Sequence, residues 1–173
     1  KKLMKLKKNL VLLGMMGSGK STIGRLISNR LNQKFIDIDD IIEDETNMKI
    51  YEIFLKKGEN FFRNLEEKIA LKSLNNSNTI ISLGGGTFIN DKIRKIVLKN
   101  HLSFWLNWNT YTLLNRIKKS KKRPLAIDST ETKLVELITR RSKIYSNAKF
   151  KINCQKLSKT SIAKKIIKLY EKN

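Results

Sequence analysis

The chain has 173 residues and a formal charge of +22, from 37 lysines and arginines against 15 aspartates and glutamates. This length fits one domain with a sizeable core, and the single cysteine, Cys154, excludes an intrachain disulfide. No apolar run approaches the roughly 18 residues that span a bilayer, and the lysine-rich start lacks the small-residue cleavage site of a secretory signal. We therefore expect a cytoplasmic protein without membrane association.

The positive charge is spread along the chain and comes mostly from lysine. A nucleic-acid-binding surface needs a basic patch with aromatic side chains among the charges, for phosphate contacts and base stacking. The basic run KKSKK at 118–122 contains no aromatic residue, so we expect no nucleic-acid partner. A generally basic surface still attracts anionic small molecules such as ATP.

The first predicted strand leads into a glycine-rich loop. Residues 9–13, NLVLL, form a short apolar run of strand length, and apolar side chains with helical spacing follow in 20–31. Between these two elements, GMMGSGKST at 14–22 matches the phosphate-binding pattern G-x-x-x-x-G-K-[ST]. Strand, loop and helix are the context in which this pattern cradles phosphates, so the chain is predicted to bind a nucleotide.

The chemistry of this phosphate loop follows from its backbone and from the helix behind it. Tight turns at Gly17 and Gly19 free backbone N–H groups to donate to phosphate oxygens, and the positive end of the helix adds to the attraction. The pattern assigns Lys20 to the β- and γ-phosphates and the Ser21 hydroxyl to Mg²⁺. We predict ATP and Mg²⁺ as ligands, with an ATP site formed by Gly17, Ser18, Gly19, Lys20, Ser21 and Thr22.

Four more strands alternate with helices along the chain. The strands are predicted at 34–39, 79–83, 101–107 and 149–153. Helical periodicity is clearest at 51–74 with a break near Gly58, and at 91–99, 109–118, 131–147 and 159–171. The alternation predicts an α/β fold, a five-stranded parallel sheet with helices on both faces, in a single domain over 1–173.

The second strand ends in the acidic run DIDD at 37–40. Ligands of an open parallel sheet lie beyond the carboxyl ends of its strands, where the phosphate loop also lies. Because side chains alternate along a strand, a strand that reaches residue 39 directs Asp37 and Asp39 to the same side. We expect one carboxylate near Mg²⁺ and one near the acceptor hydroxyl, while Asp40 is expected to cap the next helix.

Glycines and arginines supply further candidates. The glycine run Gly84–Gly86 follows the third strand and leaves backbone N–H groups accessible to a bound molecule, although a plain turn would use the same residues. Few of the basic residues are arginines, which indicates sites that need the planar, bidentate guanidinium. Arg63 and Arg123 lie in segments of mixed composition typical of site walls, whereas Arg25 and Arg30 are expected on a helix surface.

Six segments in order resemble the shikimate kinase family: GMMGSGKSTIGRL, FIDIDDIIE, IYEIFLKKGENFFRNLEE, SLGGG, KKRPL and RRSKIY. The resemblance covers nearly the whole chain. It implies a fold like that of the P-loop nucleoside monophosphate kinases and transfer of the γ-phosphoryl of ATP to the 3-hydroxyl of shikimate, toward chorismate and the aromatic amino acids. The chain departs from the family pattern at Ile38, where a small polar residue is expected, and at Asn153–Cys154, where the adenine-side turn is usually more polar.

The resemblance also implies roles on the acceptor side of the site. Asp39 would hold the acceptor hydroxyl as the candidate base, and Asp37 would lie by the Mg²⁺ shell with Ser21. Arg63 and Arg141 would bind the shikimate carboxylate. The remaining contacts to shikimate would come from Gly85 and Gly86, with Phe54 and Phe62 lining an acceptor-binding segment of about 37–66.

On the donor side, the resemblance implies that Arg116 flanks adenine. Arg123 would belong to a mobile lid at about 117–128 and reach the phosphates, and the charged, apolar-poor composition of this segment is typical of a lid that excludes water on closing. The implied catalytic residues are therefore Lys20, Asp39 and Arg123.

Two other functions stay open on the sequence alone. A kinase of gluconate or of a nucleoside monophosphate would share the phosphate loop, but Arg63, the glycine run and Arg141 favour a small hydroxylated carboxylate. A nucleic-acid-stimulated ATPase would need stacking aromatics, whereas Trp105 and Trp108 are expected in the core. We expect a monomer, because the predicted sheet and helices account for the apolar faces.

Overall fold

A parallel sheet lies at the centre of the computed structural model, which describes residues 8–120 and 129–173. Its strands are β1 (Leu10–Leu13), β2 (Lys34–Asp37), β3 (Thr79–Ser82), β4 (Leu102–Asn107) and β5 (Phe150–Asn153). The strand order is β2-β3-β1-β4-β5, and every neighbouring pair is parallel. The predicted five-stranded parallel sheet is confirmed.

Helices connect the strands and cover both faces of the sheet. Within the described ranges they are α1 (Lys20–Leu31), α2 (Ile38–Thr46), α3 (Ile50–Lys57), α4 (Glu59–Leu74), α5 (Asp91–Asn100), α6 (Thr110–Lys119), α7 (Glu131–Tyr145) and α8 (Lys159–Glu171). A short 3₁₀ helix, Thr87–Ile89, follows the glycine run. None of these helices is both long enough and apolar enough to cross a membrane.

Side-chain alternation in β1 divides the core into two layers. Val11 and Leu13 belong to the layer that packs against α2 to α7, whereas Leu10 and Leu12 belong to the layer under α1 and α8. All four side chains are fully buried, as expected for a strand in the interior of a parallel sheet with both faces covered. The sheet thus fixes the position of the carboxyl end of β1, from which the phosphate loop begins.

One boundary differs from the prediction. β2 ends at Asp37, and α2 begins at Ile38, because the Asp37 side chain accepts a hydrogen bond from the Asp39 N–H and so caps the helix. The strand predicted at 34–39 is therefore two residues too long. The capping role expected of Asp40 is also wrong, since Asp40 lies exposed in the first turn and pairs with Arg25.

Other local predictions are confirmed. Gly58, at φ +84°, separates α3 from α4, and α8 buries Ile162 and Ile166 against the sheet. Cys154 is buried, and desolvation raises the pKa of its thiol to about 12, which leaves the sulfur in its unreactive protonated form.

Candidate functional site

A cleft of about 480 Å³ opens at the carboxyl ends of β1, β2 and β3. The phosphate loop forms one wall, and the other walls come from the start of α2, from α4, from the glycine run and from α7. The cleft therefore brings together the candidates that the sequence scatters over more than a hundred positions: Gly17, Gly19, Lys20, Ser21, Thr22, Asp37, Asp39, Arg63, Gly85, Gly86 and Arg141. Phe54 and Phe62 also line it, with ring centroids 4.7 Å apart.

The phosphate loop wraps around the ammonium group of Lys20. The Lys20 Nζ donates to the carbonyl oxygens of Gly14 at 2.7 Å and Met15 at 3.1 Å. Gly17 and Gly19 have φ angles of +82° and +91°, which residues other than glycine rarely adopt. Ser18 is fully buried inside the turn. The loop therefore has a compact form, closed by a hydrogen bond from the Ser18 N–H to the carbonyl oxygen of Met15 at 3.1 Å, and compact loops of this kind bind anions through their remaining N–H groups.

The oxygen atoms of Ser21 and Asp37 lie side by side below the loop. The Ser21 hydroxyl donates to Asp37 Oδ2, while Asp37 Oδ1 accepts from the Asp39 N–H at 3.0 Å. A hydroxyl and a carboxylate are ligands suited to Mg²⁺, which usually takes one or two carboxylates and completes its shell with water and substrate phosphates. The donor set fits Mg²⁺.

Asp39 lies in the first turn of α2 and faces the glycine run. A Cβ built on Gly84 would lie 2.9 Å from Asp39 Oδ1 and 2.9 Å from Glu66 Oε1, so both carboxylates contact this glycine. Desolvation raises the pKa of Asp39 to about 7, the negative charge of Asp37 adds to the rise, and Lys20 opposes it. A carboxyl with this pKa can accept a proton near neutral pH.

Glu66 is a site residue that the sequence reasoning missed. Its carboxylate is buried and accepts from Arg63 Nη1 at 2.8 Å and from Thr87 Oγ1 at 2.7 Å. The spacing of Arg63 and Glu66, three residues apart on one helix, is the signal that could have found the pair. Glu66 fixes the direction of a guanidinium that also lies over the ring of Phe62, 5.1 Å from its centroid.

The glycine run leaves room for the two arginines. A Cβ on Gly86 would lie 2.3 Å from Arg63 Nη1, and one on Gly85 would lie 3.2 Å from Arg141 Nη1. Arg141 is buried, and desolvation lowers the pKa of its guanidinium. The absence of side chains on Gly85 and Gly86 thus lets two cationic groups converge on one wall of the cleft.

Tyr145 is the second missed residue, although it ends the segment RRSKIY. It is fully buried, and its hydroxyl donates to the carbonyl oxygen of Gly85. Burial raises the pKa of this phenol to about 12, so it remains a neutral donor. Tyr145 links α7, which carries Arg141, to the glycine run.

Arg116 and Trp108 contact the back of the phosphate loop. Arg116 Nη1 donates to the carbonyl oxygen of Gly17 at 3.1 Å, and Trp108 Nε1 donates to that of Ser18 at 2.8 Å. Trp105 is buried in the core as expected, whereas Trp108 is partly buried and packs against the core. The role of Arg116 beside adenine stays a prediction.

Arg123 and most of the predicted lid fall on residues 121–128, outside the part of the chain that the structure describes. The start of the lid segment, up to Lys119, forms the end of α6. Arg25 and Arg30 lie exposed on α1, as expected for a helix surface.

The fold and the cleft together define a class of protein. A phosphate loop on one wall, opposed by paired guanidinium groups and a carboxylate on a parallel α/β sheet, is the arrangement of a P-loop kinase that acts on small molecules. The family model for shikimate kinase matches residues 16–171. The chain belongs to the shikimate kinase family.

Individual relatives agree with this assignment. The chain is 39% identical to "Shikimate kinase" of Sulfurihydrogenibium sp. over 92% of this chain and 96% of the relative, and 36% identical to that of Thermodesulfovibrio yellowstonii over 95% and 96%. It superposes on the structure of shikimate kinase from Acinetobacter baumannii in complex with shikimate with a TM-score of 0.92, at 29% identity over 99% of this chain and 97% of the other. Deoxyadenosine kinase from M. mycoides shares the fold at a TM-score of 0.63 and 19% identity over 94% and 99% of the two chains.

Proposed function

We propose that the chain transfers the γ-phosphoryl group of ATP to the 3-hydroxyl of shikimate, giving shikimate 3-phosphate and ADP on the route to chorismate and the aromatic amino acids. The observation that carries the proposal is the convergence of Arg63 and Arg141 in the same cleft as Lys20 and Asp39. Support also comes from the A. baumannii relative, whose structure is described as a complex with shikimate.

The acceptor half of the cleft suits a hydroxylated carboxylate. Arg63 and Arg141 supply planar guanidinium groups, which bind carboxylates through paired hydrogen bonds. Glu66 holds Arg63 in place through its 2.8 Å hydrogen bond with Nη1. The Arg63 side chain therefore loses little conformational freedom when the substrate binds. With the carboxylate at the arginines, Gly85 and Gly86 contact the ring and direct a hydroxyl toward Asp39.

Asp39 is proposed to orient this hydroxyl and to accept its proton at Oδ1 or Oδ2. Its pKa of about 7 matches the range in which a general base works best at neutral pH. Phosphoryl transfer depends mainly on positioning and on neutralising charge. The Asp39 carboxylate therefore serves as the proton acceptor, while Glu66 on the same wall stays paired with Arg63.

The donor half is proposed to bind the phosphates of ATP. Backbone N–H groups of the loop and the ammonium of Lys20 neutralise charge, and Thr22 at the exposed start of α1 lines the same wall. Ser21 and Asp37 would hold Mg²⁺, which would supply further neutralisation of phosphate charge. Arg123 is proposed as another cation on the phosphates. No contact to nucleic acid is needed for this reaction, and we propose a monomer.

The test is release of ADP from ATP and Mg²⁺ with one acceptor at a time: shikimate, gluconate, CMP, AMP or single-stranded DNA. We expect turnover with shikimate alone, and its loss in Asp39→Asn. The matched control is Asp44→Asn, because Asp44 is an exposed carboxylate on the same helix as Asp39 and does not line the cleft. Turnover with gluconate or a nucleotide as acceptor, or stimulation by DNA, would contradict the proposal.

A further inference from the structure

Two side chains, Trp108 between β4 and α6 and Arg116 within α6, donate hydrogen bonds to successive carbonyl groups of the phosphate loop. Trp108 Nε1 donates to the carbonyl of Ser18 at 2.8 Å, and Arg116 Nη1 donates to the carbonyl of Gly17 at 3.1 Å. The two residues also contact each other, because the guanidinium carbon of Arg116 lies 3.9 Å from the centroid of the Trp108 ring. This stacked pair thus forms a support behind the loop.

The hydrogen bond from Trp108 determines which way a peptide group points. In a trans peptide the C=O and the following N–H point in opposite directions, and the described chain contains no cis peptide bond. The Ser18 carbonyl is directed at the indole, so the N–H of Gly19 is directed to the opposite side. Gly19 lines the cleft, next to Lys20, so this N–H belongs to the surface that faces the phosphates.

The loop needs such a support because its glycines permit other conformations. Gly17 and Gly19 both have positive φ, and glycine exchanges between the left- and right-handed regions at low cost. Rotation of the Ser18–Gly19 peptide would turn the N–H away from the cleft and leave the carbonyl of a buried residue without its donor. Trp108 and Arg116 oppose that rotation from behind the loop.

We infer that Trp108 is a positioning residue for the donor nucleotide, which keeps the Ser18–Gly19 peptide in the orientation that binds phosphate. It acts through Gly19 and does not touch the reacting atoms. The inference rests on the proposed function in one respect, namely that the donor in the cleft is a nucleotide.

The first test is Trp108→Phe, which keeps an aromatic ring for Arg116 to stack on and removes the indole donor. We expect the Kd for ATP with Mg²⁺, measured by calorimetry, to rise roughly five- to tenfold, as for the loss of one hydrogen bond to a buried carbonyl. The Kd for shikimate should stay within about twofold, and kcat at saturating ATP should change less than the KM for ATP.

Trp105→Phe is the matched control. Trp105 lies in β4, two strand positions before the end, and its ring packs toward Tyr145 with a centroid distance of 6.0 Å. This substitution removes the same indole group three residues earlier in the chain, where it has no hydrogen bond to the phosphate loop. ATP affinity should therefore stay within about twofold of the wild type.

The second test leaves Trp108 in place. The chain has two tryptophans, so Trp105→Phe makes Trp108 the one fluorophore of its kind. Addition of ADP with Mg²⁺ should change its emission, and addition of shikimate should not, because the indole contacts the phosphate loop. This measurement is independent of whether Trp108→Phe folds.

The outcomes separate the inference from the proposed function. Three results would each overturn the inference even if shikimate is phosphorylated. They are an unchanged ATP affinity in Trp108→Phe, an equal loss of affinity for ATP and for shikimate in that variant, and a Trp108 emission that does not change when ADP is added. ATP binding that depends on Trp108, together with no turnover of shikimate, would support the inference and contradict the proposed function. A wild-type chain that binds no nucleotide would overturn both.

Discussion

Gly86→Ala tests whether the site depends on the close approach of the Arg63 guanidinium to the glycine run. The added Cβ would lie 2.3 Å from Arg63 Nη1 and 2.8 Å from its Cζ, whereas ordinary contacts of a Cβ begin near 3.4 Å. The guanidinium must therefore move by about 1 Å, and a displacement of this size in a positioning group can cost up to a hundredfold. The backbone itself tolerates alanine, because Gly86 has φ −97° and ψ −13°.

The expected result is a KM for shikimate raised about ten- to a hundredfold, with a KM for ATP within about twofold and a free energy of unfolding within about 1 kcal/mol of the wild type. Steady-state kinetics with each substrate varied in turn, and urea unfolding, measure these quantities. The double variant with Arg63→Lys should be far less than additive, because both changes disturb the same guanidinium. An unchanged KM for shikimate at unchanged stability would refute the argument.

Three further substitutions probe the cleft. Arg63→Lys keeps the positive charge and loses the paired N–H groups of the planar guanidinium, so the KM for shikimate should rise about tenfold or more with ATP affinity nearly intact. Weaker ATP binding would instead place Arg63 on the donor side of the cleft. Tyr145→Phe removes the donor to the Gly85 carbonyl and keeps the ring, so steady-state kinetics should show the KM for shikimate rising about fivefold, and an equal rise for ATP would contradict this role. Asp39→Asn removes a carboxyl whose pKa is raised from 3.8 to about 7. The stability that this carboxyl contributes is present below its ordinary pKa and is lost as the pH rises through 7. The variant should therefore unfold in urea with a free energy up to about 4 kcal/mol above the wild type at pH 8, with little excess near pH 4. An excess that does not change with pH would contradict the raised pKa of Asp39.

The elements of the fold could be predicted because each has a local cause. Apolar runs and helical periodicity place the strands and helices within a few residues, and Gly58 ends α3 where the sequence shows a glycine. The error at β2 arises from a side chain that competes with the strand. Asp37 caps α2 by accepting a hydrogen bond from the Asp39 N–H. The alternation of side chains that predicted the strand gives no information on this hydrogen bond.

The donor wall of the cleft is local in sequence, whereas the acceptor wall is not. The phosphate loop, with Ser21, lies within the nine residues 14–22, so one sequence motif identifies this wall. Arg63 and Arg141 approach the glycine run from two different helices, and their shared wall was expected from the family resemblance and not from spacing.

Tyr145 and Trp108 act through contacts that sequence patterns do not display. Tyr145 reaches Gly85 across 60 positions, and Trp108 reaches Ser18 across 90. Both are aromatic side chains with a single polar atom, so their patterns indicate core positions. Only the folded chain shows that their polar atoms bind the backbone of the glycine run and of the phosphate loop.

The most direct test of the proposed function is the identity of the phosphorylated product. The purified chain with ATP, Mg²⁺ and shikimate should yield one new phosphomonoester signal in ³¹P NMR, coupled to the proton on C3 of shikimate, in an amount equal to the ADP formed. ADP without this signal, or a phosphoester on another hydroxyl, would contradict the proposal that Arg63 and Arg141 hold the carboxylate while Asp39 orients the 3-hydroxyl.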